Sequence, residues 1–91
     1  MKVHVTLSIT GKVQGVFFRA SAREKASSLN INGYARNEKD GSVLVEAEGE
    51  ENVILNFIEW CKDGPRMAKV IDVNVEYGVV KNFKDFQSVN F

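Results

Sequence analysis

The sequence predicts an α+β domain in which two helices cover one face of a mainly antiparallel sheet. Two alternating runs predict strands. Val3, Val5, Leu7 and Ile9 interleave with Lys2, His4, Thr6 and Ser8, and Ile71, Val73, Val75 and Tyr77 interleave with Asp72, Asn74 and Glu76. Val53, Ile54, Phe57, Ile58 and Cys61 recur at the spacing of one helical stripe and predict an amphipathic helix between those strands. Ninety-one residues hold one modest core, so residues 1–91 are expected to form a single domain.

Each element follows in order. The first strand runs into Gly11-Lys12-Val13-Gln14-Gly15-Val16-Phe17-Phe18-Arg19, after which residues 20–29 are rich in helix formers. Leu29-Asn30-Ile31-Asn32-Gly33 stops that helix, and a short strand is expected to end at Asn37. Glu38-Lys39-Asp40-Gly41 reads as a hairpin turn, Asp-Gly being a strong short-range signal. Val43, Val45 and Ala47 then alternate with Leu44, Glu46 and Glu48, a third strand with one acidic face, and Gly49 breaks it. Gly64-Pro65 ends the second helix. After the fourth strand, Phe83, Phe86, Val89 and Phe91 suggest a short closing strand whose register the pattern does not fix. The order β-α-β-β-α-β plus a C-terminal strand is the split βαβ arrangement of ferredoxin-like folds, with right-handed crossovers. In that topology the first two strands point the same way. Asn37, closing the second, should then sit on the side of the sheet where the 11–19 loop leaves the first.

Composition excludes several classes. Twelve basic and twelve acidic residues cancel, so no global field recruits nucleic acid or an anionic membrane. Locally, Lys12, Arg19, Arg23, Lys25, Arg36 and Lys39 are expected in or near the 11–19 loop. Cys61 is the single cysteine, so no intrachain disulfide forms and nothing points to an oxidising compartment. Residues 1–30 lack the apolar block of a signal peptide and no run reaches membrane-spanning length, which makes the cytoplasm the expected location.

The 11–19 loop carries the functional signal. Backbone N–H groups at a helix start lack internal partners and carry the positive end of the dipole, so they attract anions. Arg19, in that first turn, is electrostatically misplaced unless an anion lies between it and the amides. The spacing is neither a Walker A element, for want of the six-position spacing and the Lys-Ser/Thr pair, nor a dinucleotide fingerprint, for want of a third glycine. A Gly-xxx-Gly loop before a helix also fits a plain tight connection with Arg19 as a solvated charge, and the pattern alone leaves both readings open.

A longer match narrows them. Gly11-x-Val13-Gln14-Gly15-Val16-x-Phe18-Arg19, with Gly33-Tyr34-Ala35-Arg36-Asn37-x-x-Asp40-Gly41-x-Val43, resembles the paired signature of the acylphosphatases over almost the whole chain. The resemblance implies a ferredoxin-like fold and hydrolysis of a carboxyl-phosphate bond to a carboxylate and inorganic phosphate, the latter also a competitive ligand. It implies that Arg19 binds the phosphate, that Asn37 holds the attacking water, and that Gln14, Gly15, Val16, Phe17 and Phe18 contribute backbone amides. Ala35 departs from the family's larger aliphatic residue, which should cost a little packing near the site, and the ending 86–91 departs from the usual close. Because the leaving carboxylate has a pKa of about 4, no general acid is needed. With arginine and amides supplying positive charge, neither metal nor other cofactor is expected. The implied enzyme is a monomer acting on a small-molecule acyl phosphate. A module that binds an acyl or carbamoyl phosphate without turnover is the alternative.

Other residues receive plainer readings. Ser42 could support Asn37 from behind, though a solvent-facing strand serine is simpler. His4 reads as an exposed strand histidine, and Cys61 as a core residue. Glu46, Glu48, Glu50 and Glu51 read as a solvated acidic face rather than a cation site. Core and loop packing explain Phe17 and Phe18 better than nucleic-acid stacking, whose aromatics belong on inner strands, and Trp60 needs no special role.

Overall fold

A computed structural model describes residues 1–89. The chain forms β1 (Lys2–Lys12), α1 (Phe18–Ser28), β2 (Asn32–Asn37), β3 (Val43–Glu50), α2 (Glu51–Asp63), β4 (Lys69–Gly78) and β5 (Phe86–Val89). The strands lie in the order β4-β1-β3-β2-β5. Every pairing is antiparallel except β2 with β5. This is the predicted split arrangement, with the closing strand added beside β2. Phe83 falls outside β5, and Phe91, also expected in that strand, lies outside the described residues.

Alternation buries Val5, Leu7 and Ile9 of β1 and Val43, Val45 and Ala47 of β3 on one face, where α1 and α2 cover them. The α2 stripe meets expectation: Ile54, Phe57, Ile58 and Cys61 are buried and Val53 is half-buried. Burial pushes the Cys61 thiol well above its ordinary value, which suits a core role. The α1 face is Phe18, Ala22 and Ala26 at four-residue steps. Phe18 packs its ring 5.7 Å from Trp60, which stacks on Phe57, so the start of α1 is clamped to α2. Trp60 therefore has a packing role that its sequence position did not disclose.

One phase expectation fails. Thr10 pairs with Asp72 but Gly11 pairs with Val70, a bulge that passes over Ile71. Ile71 is consequently 82% exposed, while Val70, Val73 and Val75 pack against the core. Gly11, at φ 125°, permits this crossing. A Cβ there would fall on the Lys69 carbonyl oxygen and lie 2.8 Å from the Ile71 nitrogen.

Of the acidic residues expected on a solvated face, Glu50 and Glu51 are exposed, but Glu46 and Glu48 of β3 are buried, and His4 is not exposed. Glu48 is 1% and His4 2% exposed, both covered by the segment between β4 and β5. The His4 ring lies between two carboxylates, Nδ1 at 2.7 Å from Glu48 Oε2 and Nε2 at 3.0 Å from Glu46 Oε1. Glu48 accepts the backbone N–H groups of Lys81 and Phe83, and Glu46 accepts from the Tyr34 hydroxyl and the Lys81 ammonium. Burial alone would raise both carboxyls. For Glu46 the bonds from Tyr34 and Lys81, and for Glu48 those from Lys81, His4 and Phe83, outweigh it and hold both below the ordinary value. Desolvation, then Glu46, pushes the Tyr34 hydroxyl up to about 12.

Candidate active site

The loop after β1 is built to open its amides. Gly15 (φ 74°) and Phe17 (φ 65°) are left-handed and Val16 between them is not, the alternation that turns successive N–H groups into a concave anion nest. Among the described residues, no hydrogen bond occupies the amides of residues 14–18. The open space beside Gly15 extends this face, since a Cβ there would meet nothing within 4 Å. Val16 and Phe18 anchor the loop from beneath, both being buried. The helix that follows has no side-chain cap and no acid in its first turn, so neither compensates its N-terminal field.

A cleft of about 250 Å³ opens over this nest, lined by Val13, Gly15, Phe17, Phe18, Arg19, Ala20, Asn37 and Ser88. Arg19 reaches across it from the first turn of α1, and its Nη1 donates to the Val89 carbonyl at 2.7 Å. Asn37 enters from the end of β2, as the parallel direction of β1 and β2 requires. Its Oδ1 is buried and has no hydrogen-bond partner among the described residues. The structure thus brings Gly15, Phe17, Phe18, Arg19 and Asn37 to one cleft. Gln14 and Val16 contribute to the loop without lining it.

The other basic residues go elsewhere. Arg36 pairs with Glu38 at 2.9 Å and, with Lys39, borders the outside of the hairpin. Arg23 sits with Ser27 and Lys84, and Lys25 with Glu24 between the helices. Lys12 ends β1 opposite Lys69. Arg19 supplies the cation of the cleft among the described residues.

Four placements were not foreseen. The Gln14 side chain donates to the carbonyls of Glu38 (2.8 Å) and Ser42 (2.9 Å), tying the nest to the hairpin that follows Asn37. Ser42 is buried rather than solvent-facing, and its hydroxyl donates to Asp40 Oδ1 at 2.6 Å. That bond and the Ser42 backbone N–H lower the Asp40 carboxyl. Ser88 reaches the cleft because β5 runs parallel to β2, which the unfixed register of the last strand concealed. Phe17 is 76% exposed, so core and loop packing do not explain it.

Comparison with known proteins decides the family. The acylphosphatase family model matches residues 5–88. The chain belongs to the acylphosphatase family. As a member it is a hydrolase of the acylphosphatase type. An acylphosphatase from Nocardioides sp. is 41% identical over 86 residues, covering 94% of this chain and 87% of its own. The structure of an acylphosphatase from Coxiella burnetii superposes with a TM-score of 0.93 at 40% identity, covering 97% of this chain and 93% of that one. Full-length HypF, in a phosphate- and nucleotide-bound form, contains a similar unit: TM-score 0.87, 30% identity, 98% of this chain but 12% of that one.

Proposed function

We propose that this acylphosphatase hydrolyses small-molecule acyl phosphates by in-line attack of water on phosphorus. The observation that carries the reading is the buried Asn37 Oδ1, without a hydrogen-bond partner among the described residues, in the same cleft as Arg19 and the open nest. A buried acceptor without a partner costs about 1–3 kcal/mol, which a bound water would relieve. Arg19 and the amides of Gln14, Gly15, Val16, Phe17 and Phe18 hold the phosphoryl oxygens, where charge gathers in a loose transition state. Arg19 presents a planar, permanently charged fork that lysine could not reproduce. Asparagine is not a base, so the water's proton passes to a phosphate oxygen. The leaving carboxylate departs unprotonated and needs no acid. Ser42 supports Asn37 indirectly, its carbonyl accepting from Gln14 and from the Glu38 N–H to close the hairpin. The enzyme works as a cytoplasmic monomer without metal or cofactor, and inorganic phosphate, its product, competes for the nest.

The test is hydrolysis of benzoyl phosphate, followed by its ultraviolet change in chelator. Wild-type turnover should survive chelation. Arg19→Ala and Asn37→Ala should each lose about 10²–10³-fold in kcat, the cost of one preorganised hydrogen-bonding group. Inhibition by inorganic phosphate should disappear in Arg19→Ala and persist in Asn37→Ala. Because HypF carries this unit within a larger chain, a binding module is the second reading. Phosphate binding without benzoyl phosphate turnover would establish it.

A further inference from the structure

We propose that the Phe17 ring is the wall against which the acyl group of the substrate lies, so that the enzyme prefers acyl phosphates with an aryl group over those with a small one. This rests on the cleft's assignment under Proposed function. Phe17 is unfavourable for the fold on three counts. The residue is 76% exposed and buries little apolar surface. Its backbone is left-handed, at φ 65° and ψ 22°, a conformation that costs a side-chain-bearing residue about 1–2 kcal/mol and that asparagine or glycine tolerates better. It occupies the N-cap of α1 and makes no side-chain cap, where serine, threonine, aspartate or asparagine would. Phe18 beside it is buried against Trp60, so an aromatic pair is not needed there for packing.

The position of the ring answers what the fold does not. Asn37 Oδ1 is buried, so the water it holds lies at the floor of the cleft. In-line displacement puts the leaving oxygen opposite that water, which aims the acyl group at the mouth. Phe17 is the large exposed apolar side chain of the cleft's lining. A benzoyl ring leaving through the mouth would meet it, whereas an acetyl group is too short to gain much. The Phe17 side chain therefore acts on substrate choice, and its backbone amide on the phosphate.

The experiment compares kcat/KM for benzoyl phosphate and acetyl phosphate in wild type, Phe17→Asn and Phe17→Tyr. Asparagine keeps the left-handed cap and removes the ring, and tyrosine keeps the ring. Wild type should favour benzoyl phosphate. The benzoyl-to-acetyl ratio should fall about tenfold in Phe17→Asn, the size of one aromatic contact, mainly through KM, and should hold in Phe17→Tyr. A ratio unmoved in Phe17→Asn, with both substrates falling together or not at all, overturns the inference alone. Inhibition by phenylphosphonate against methylphosphonate reads the same contact without turnover. A lost preference there supports the inference even if the variant is too slow to assay, and an unchanged one overturns it. A wild type that hydrolyses neither substrate overturns the cleft's catalytic assignment, while the phosphonate comparison still judges Phe17.

Discussion

Glu48→Gln tests whether the buried network on the outer face of the sheet holds the fold together. The carboxylate accepts from His4 Nδ1 at 2.7 Å, from the Lys81 N–H and from the Phe83 N–H at 3.0 Å, in a site only 1% exposed. A glutamine of the same shape keeps one oxygen and presents an NH₂ where the other stood. In either orientation a donor then faces a donor. With the oxygen kept on the His4 side, the Phe83 bond is lost and its N–H is left buried. A hydrogen bond to a charged group contributes about 1.5–3 kcal/mol, and an unsatisfied buried donor costs about 1–3 more. About 3 kcal/mol in total is expected, which for a domain of this size lowers Tm by roughly 12–24 °C. Thermal and urea unfolding, followed by far-ultraviolet circular dichroism and Trp60 fluorescence, measure it. Glu59→Gln serves as the control, because its pair with Lys62 stands in solvent, and should cost about 0.5 kcal/mol or less. A Glu48→Gln shift no larger than the control's would refute the network's role.

Two further outcomes follow, one from the same network and one from the Gln14 tie. Glu46 and Glu48 are held below their ordinary carboxyl value in the folded state, so their contribution is complete above the unfolded value and is lost as pH falls through the folded one. Facing His4, Tyr34 and Lys81, they should make wild-type stability drop steeply below about pH 4.5, and Glu46→Gln/Glu48→Gln should flatten that drop in urea titrations. Gln14→Ala removes two bonds of about 1 kcal/mol each and should lower the unfolding free energy by about 2 kcal/mol. It should also lower kcat in the benzoyl phosphate assay, because the hairpin after Asn37 is no longer tied to the nest. Unaltered kcat would show that the tie does not serve the site.

Much of this molecule was legible in its sequence, for reasons that individual residues make clear. Alternation in β1 and the stripe of α2 report which side chains share a face, and those faces are set by short-range geometry. The direction of β1 and β2 follows from the crossover rule, and it placed Asn37 at the loop's side of the sheet. Alternation does not report what covers a polar face. His4, Glu46 and Glu48 were legible as polar residues of their strands, but that β1 pairs with β3 and that residues 79–85 fold back over them were not. Lys81 and Phe83 were the available signal: a cation and an aromatic, close in sequence, facing a polar strand surface. Ile71 was misread because a bulge is set by one close backbone approach at Gly11, not by hydropathy. The Gln14 side chain was hidden for a related reason, since its two acceptors are carbonyls that every residue possesses.

The claim at the centre of this account is that the cleft delivers water to phosphorus. Hydrolysis of benzoyl phosphate by the wild-type enzyme in heavy-oxygen water, with mass analysis of both products, tests it most directly. The account predicts that the label enters inorganic phosphate and that benzoate stays unlabelled. Label in benzoate would mean attack at the carbonyl carbon, and would contradict a site built from Arg19, Asn37 and the nest around the phosphoryl group.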